Sequence, residues 1–226
     1  MELRGGANRE QAFAVASGGE ACAADAAEDL VASGGAARGA EEVLALRLCA
    51  LTGEFYRANA ESFSQTRQSP WQGWVRLLEV MEAASGQEPL RVLDLACGNL
   101  RFERYLADAL PNRMLSGYAV DNCDPLVEAG ERNGSDALSR MSFQNLDAIE
   151  RLSAGCLREA LEAPDASCDL AVSFGFMHHV PLERWRAGLL RALVAKVRPG
   201  GFVAVSFWRF LNSDKLARKA EETTSR

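Results

Sequence analysis

Residues 91–106 read RVLDLACGNLRFERYL. An apolar run carries one acid near its end, a short loop follows with a single glycine, and the chain then turns to a helical pattern. A strand that is apolar on both faces and runs through a loop into a helix is the opening unit of a parallel sheet covered on both sides. In such a sheet the ligand lies beyond the carboxyl ends of the strands, where the winding reverses. A dinucleotide fingerprint needs GxGxxG in this loop, but Ala96, Gly98 and Arg101 hold the three positions. A pyrophosphate is also repelled by a carboxylate, so Asp94 speaks against one. A cationic amino-acid ligand fits better. Its ammonium wants acceptors, and Gly98 lets it lie against the backbone.

The same alternation continues downstream. Strands are expected at 91–96, 115–120, 141–145, 169–174 and 202–207. Helices are expected between them, one opening at Asp124-Pro125 and another over Leu182–Val197, which stops at Pro199-Gly200-Gly201. Right-handed crossovers make the sheet doubly wound. Upstream, residues 41–86 form a helical cap, with Ser69 as N-cap and Pro70 at the first position of its second helix. Residues 1–40 are rich in Ala and Gly, bury too little to offset their ordering entropy, and are expected to be a disordered tail with a short helix near 20–32.

Composition narrows the function classes. The formal charge of −6 argues against a surface that coats nucleic acid non-specifically. No apolar run reaches the roughly 18–20 residues needed to span a bilayer, so a cytoplasmic protein without membrane contact is expected. Six scattered cysteines without a CxxC pair, with two histidines, argue against a metal site and for free thiols.

Two further acids sit on strand tips. Asp121, in YAVDNCDP, has the chemistry to accept both hydroxyls of a ribose, and charge-assisted bonds of this kind contribute about 1.5–3 kcal/mol each. Asp147, in QNLDA, is placed to accept from an adenine amine, with the Ala148 N–H meeting the ring. Each acid alone also reads as a helix cap or turn residue. Three on successive tips describe an adenosine that carries a positively charged methionine.

Taken together, VLDLACGN, AVDN, QNLDA and SFGFMHHVP resemble the class I S-adenosylmethionine-dependent methyltransferases, over roughly residues 41–208. The resemblance implies a Rossmann-like, doubly wound, mostly parallel α/β sheet in a core of residues 87–226. It implies S-adenosylmethionine as cofactor and S-adenosylhomocysteine as product. Its site would be built from Asp94, Ala96, Gly98, Asn99, Asp121, Asn122, Asp147, Ala148, Ser173, Phe174 and Gly175. The segment EFYRANAESFSQTRQSPWQGWVRLL is similar to the one preceding the core in eukaryotic tRNA wobble-uridine carboxymethyl methyltransferases and AlkB-like tRNA enzymes. That likeness would put Tyr56, Phe63 and Arg67 in or over the cofactor site, and Arg67 has a planar fork suited to the methionine carboxylate. His178 or His179 would orient an acceptor or take a proton, and His178 is the candidate catalytic residue. Trp71 and Trp74 either stack on a base or pack in the core, with packing favoured.

The sequence departs from the family in two places. Leu100 stands where members often carry glycine, and it is expected in the first helical turn. Only 18 residues follow Trp208, so the family's C-terminal strands are missing, and an exposed sheet edge is expected to be met by a second copy or a partner subunit. A modified wobble uridine of tRNA, a small-molecule acceptor, and a cofactor-binding subunit without activity all remain open. A nicotinamide dehydrogenase conflicts with the chemistry of the loop.

Overall fold

A computed structural model describes residues 11–17, 35–84, 89–131 and 139–208, together with 214, 217, 218, 221 and 222. Strands β2 (Leu90–Leu95), β3 (Leu115–Asp121), β4 (Met141–Asn145), β5 (Cys168–Ser173) and β6 (Val197–Trp208) form parallel pairs, and β1 (Gln11–Ser17) pairs antiparallel with β6. The sheet order is β1-β6-β5-β2-β3-β4. The chain leaves β2 to build outward through β3 and β4, then returns to β2's other side with β5. The winding therefore reverses at β2, whose tip carries Asp94.

The apolar run of β2 is explained by burial on both faces. Leu93 and Leu95 join a cluster under α7 (Glu183–Lys196), with Trp185, Leu189 and Leu193. Leu90 and Val92 face Trp74 and Leu77 of α2 (Gln72–Ala84) and Phe102 and Leu106 of α3 (Arg101–Ala109). Each such fully buried side chain stabilises the fold by about 1.5–3 kcal/mol. The long helix α1 (Gly35–Gln65) bends at Asn59, whose side-chain amide donates to Phe55 O. It packs on α4 (Asp124–Glu131) and on α5 (Ala148–Ser153), and Arg184 of α7 holds its start through Glu41 and Glu42.

Four sequence expectations are corrected. Within the segment expected to be a disordered tail, Gln11–Ser17 is strand β1, registered from Gln11 opposite Trp208 to Ser17 opposite Phe202. An antiparallel strand thus covers the sheet edge that was expected to be exposed, and it comes from the N-terminal side. The suggested helix near 20–32 lies outside the described residues. Second, α2 begins at Gln72, after Ser69-Pro70, because its first turn is closed by Trp74 N–H donating to Trp71 O. Third, Pro199-Gly200-Gly201 does not separate helix from strand. These residues lie inside β6, at a bulge where pairing shifts between Cys168 and Leu170. A Cβ on Gly201 would stand 2.7 Å from Asp169 O, so only glycine lets the strands close there. Fourth, Leu100 precedes α3 rather than opening it, as described below.

Candidate functional site

The loop after β2 is held in a left-handed conformation at three places: Ala96 (φ 68), Gly98 (φ 57) and Leu100 (φ 55). Ala96 and Leu100 thus keep a backbone shape that glycine adopts at no cost, and only Gly98 adopts it freely. Leu100 tolerates the strain because its side chain is buried with Cys97, Ala119 and Val127. The loop is clamped from the far side by α4. Arg104 Nη1 donates to both Asn99 O (2.6 Å) and Gly130 O (3.1 Å).

Beyond the strand tips, under α1 and the start of α2, lies an open cavity of about 2180 Å³. Asp94, Ala96, Gly98 and Asn99 from the first loop line it, with Asp121 and Asn122 from the β3 tip and Asp147 and Ala148 from the β4 tip. Tyr56, Phe63 and Arg67 line it from α1 and its end, and Phe174, Gly175 and His178 from the loop after β5. Of the residues expected at the site, Ser173 alone does not line it. Ser173 is buried beneath, with its hydroxyl unpartnered.

Asp94 is 2% exposed, and its Oδ1 meets no donor from the protein. Burial, and then the neighbouring Glu103 carboxyl, hold it well above the usual carboxylate range. Asp121 ties the two loops together. Its Oδ2 accepts from Gly98 N–H and its Oδ1 from Cys123 N–H, both at 2.9 Å. Burial pushes this carboxyl up and those N–H groups partly oppose the shift. Each oxygen keeps a lone pair for a ligand hydroxyl. Asp147 is more committed than the sequence suggested. It caps α5, with Oδ1 accepting from Ile149 and Glu150 N–H, and Oδ2 accepting from Asn122 Nδ2 at 2.9 Å. Three donors already occupy it, so its capacity for an adenine amine is small.

Asn99 acts as a clasp. Its Nδ2 donates to Ser64 Oγ (3.1 Å) and to Arg67 O (3.2 Å), fixing the end of α1 against the first loop. Sequence reasoning passed over Ser64, within FSQTR, because its partner lies 35 residues away. Arg67 stacks its guanidinium on Phe63, 3.9 Å from the ring centroid. Arg101 lies over Trp71 at 4.8 Å, and burial, then Arg67 and Arg104, lower it to about 10, so it stays charged at neutral pH. Both tryptophans line the cavity, Trp74 as a buried core residue packed with Phe102, Tyr105 and Phe174, and Trp71 half-buried beside it.

The two histidines part company. His179 Nε2 is 3.1 Å from the Tyr56 hydroxyl, joining the loop after β5 to α1. His178 stacks on Trp208, with ring centroids 4.6 Å apart. Burial, then the adjacent His179 ring, lower His178 to about 4, and burial lowers His179, so both are neutral at physiological pH. No helix among the described residues is long and apolar enough to cross a membrane.

Residues 92–201 match the family model described as methyltransferase domain. The matched segment runs from β2 into β6 and so carries the reversal point and all three strand-tip acids. By that match the chain is similar to the S-adenosylmethionine-dependent methyltransferases. The residues present fit the cofactor: an orphaned, buried carboxylate oxygen at the reversal point answers an ammonium, and Asp121 keeps acceptor capacity for a ribose. The chain is 29% identical over 157 residues to the tRNA (carboxymethyluridine(34)-5-O)-methyltransferase ALKBH8 of Mus musculus, covering 69% of this chain and 19% of that protein. It is 28% identical over 153 residues to the tRNA (carboxymethyluridine(34)-5-O)-methyltransferase of Arabidopsis thaliana, covering 68% of this chain and 31% of that one. The chain therefore spans less than a third of the length of these curated relatives. Among solved structures it is similar to a SAM-dependent methyltransferase from Thiobacillus denitrificans in complex with S-adenosyl-L-homocysteine, at 21% identity and TM-score 0.49, over 73% of this chain and 60% of that one.

Proposed function

We propose that this protein is an S-adenosylmethionine-dependent methyltransferase that transfers a methyl group to the carboxylate of a carboxymethyl group on the wobble uridine of tRNA. The observation that carries this reading is the placement of charge. Four arginines (Arg57, Arg67, Arg76 and Arg101) line the cavity from α1, the segment after it, α2 and α3, together with Trp71, while its four acids (Asp94, Asp121, Asp147 and Glu150) come from the strand tips and α5. A planar base with an anionic substituent and flanking phosphates suits that wall, through stacking and bidentate contacts. The names of the curated relatives support the same acceptor.

When bound, S-adenosylmethionine supplies a methyl group activated by its sulfonium. The chain's own contribution is alignment. Asp94 would hold the ammonium, Asp121 the ribose, and Arg67 the methionine carboxylate. A carboxylate acceptor is already an anion, so it would need no base from the chain to receive that methyl group. A neutral His178 suits this chemistry, because it donates an N–H to hold the acceptor and is not required as a base. The Tyr56–His179 pair fixes the wall beside it. Orientation of this kind supplies about 7–11 kcal/mol of barrier lowering in well-aligned intramolecular cases.

The test is methyl transfer from labelled cofactor into total tRNA, compared with a metabolite extract. Label in tRNA that mild alkali releases as methanol is the expected result, since an ester is cleaved where ring and N-methyl groups survive. Label in metabolites alone overturns the tRNA acceptor.

A further inference from the structure

Asp94 has a companion below the cavity floor. Glu103, in the first turn of α3, is fully buried, and neither of its carboxyl oxygens meets a donor from the protein. Its carboxyl group lies within hydrogen-bonding reach of that of Asp94, whose Oδ1 is likewise orphaned. Two buried carboxylates side by side cannot both be charged without a cation. A proton held between them satisfies both orphaned groups at once.

The surroundings do not supply that cation. From β3, Asp121 faces the pair as a third acid and raises both members. From the loop, the Cys97 thiol is pushed well up by burial and stays neutral. From α3 itself, Arg104 lowers Glu103 through its charge, yet it donates to neither acid: its Nη1 bonds Asn99 O and Gly130 O, and its buried Nη2 meets no acceptor. Burial still pushes Glu103 up to about 7. Asp94 reaches the cavity and Glu103 does not, so Glu103 acts through Asp94.

We propose that Glu103 is a positioning residue for the cofactor's ammonium: in the ligand-free protein it shares one proton with Asp94, and the incoming ammonium displaces that proton, leaving Asp94 anionic against the cation. This inference rests on the reading of Asp94 as the ammonium's partner. The balance is simple, with one cation bound and one proton released to solvent, and no bond other than O–H broken.

The experiment is calorimetric titration of the full chain with S-adenosylhomocysteine in buffers of differing ionisation enthalpy, repeated with the desamino analogue that lacks the ammonium. S-adenosylhomocysteine is expected to release close to one proton at about pH 6 and none by about pH 9, with affinity falling up to about tenfold per pH unit below about pH 7. The desamino analogue is expected to release none. Glu103→Gln keeps a hydrogen bond to Asp94 but no shared proton, so it is expected to bind S-adenosylhomocysteine without proton release and with a flat pH profile. S-adenosylhomocysteine binding that is independent of buffer in the unaltered protein overturns the proposal and leaves the cofactor site standing, as does equal proton release by the two ligands. Absence of S-adenosylhomocysteine binding removes the cofactor site and this inference together.

Discussion

Asp121 accepts the backbone N–H of Gly98 at 2.9 Å, so the tip of β3 holds the loop after β2 in place. One carboxylate therefore shapes the site and faces its ligand. Asp121→Ala is expected to weaken S-adenosylhomocysteine binding about 10- to 100-fold, through loss of the ribose bonds. It is also expected to lower the melting temperature, because Gly98 and Cys123 lose their acceptor. Asp121→Asn keeps one acceptor oxygen but turns its NH2 toward the N–H of either Gly98 or Cys123, so it is expected to lose affinity and melting temperature too, by less than Asp121→Ala. Calorimetry and thermal unfolding measure both effects, and unchanged affinity in a folded Asp121→Ala protein rules out the ribose assignment.

The loop also predicts opposite signs for two glycine substitutions. Ala96 at φ 68 carries about 1–2 kcal/mol of left-handed strain, against about 0.4–1 kcal/mol of added unfolded-state entropy for glycine. Ala96→Gly is therefore expected to stabilise the chain by about 0.5–1 kcal/mol, raising the melting temperature by about 1–4 °C. Leu100→Gly relieves similar strain but empties a buried site, where losing a leucine side chain costs about 2–5 kcal/mol, so it is expected to destabilise.

Much of this was legible from the sequence, for definable reasons. The runs of β2, β5 and the second half of β6 are apolar on both faces, as strands in the middle of a covered parallel sheet are. Asp94, Gly98 and Asp121 announced themselves because each follows an apolar run directly. Strand β1 was not legible, since QAFAVAS is short, sits among Ala and Gly, and pairs with residues nearly 200 positions away. Leu100 misled because its apolar side chain reads as a helix-face residue, while its backbone angle leaves no trace in the residue type. Glu103 and Ser64 were invisible for the same reason. Each is defined by a partner brought close by folding, and not by spacing.

Gly130 lies where α4 meets the first loop. A Cβ there would stand 2.3 Å from the backbone oxygen of Asn99, which cannot rotate away. Alanine gains about 1 kcal/mol in helix propensity, but overpacking against backbone costs about 1–3 kcal/mol, at the upper end here. Gly130→Ala is expected to lower the melting temperature and to weaken S-adenosylhomocysteine binding, because Asn99 and the loop must shift. A melting temperature equal to that of the unaltered chain contradicts this packing.

His178, lowered to about 4 by burial and then by His179, is neutral over the whole working range. At saturating cofactor, kcat is expected to show no His178 inflection between about pH 5.5 and about pH 8. Stability follows the same sign. A histidine depressed from 6.5 when folded contributes stability that is present above 6.5 and is lost as pH falls toward about 4. His178→Gln is expected to flatten the acid limb of the melting temperature in that window. A kcat inflection near pH 6.5 that His178→Gln abolishes assigns His178 a proton-transfer role instead.

Strand β1 protects β6. Seven residues, Gln11–Ser17, pair with Phe202–Trp208, and without them β6 presents unpaired N–H and C=O groups along an apolar strand. Such an edge is a template for pairing with another chain. A variant lacking residues 1–17 is therefore expected to self-associate in sedimentation at concentrations where the full chain does not, and to melt at lower temperature. Its amides at 202–208 are expected to exchange faster with solvent than those of the full chain wherever it stays monomeric. The site should be affected less than the edge, since Asp94 and Asp121 lie across β5 from β6. Equal exchange at 202–208 in the two proteins means that the pairing of β1 with β6 does not form in solution.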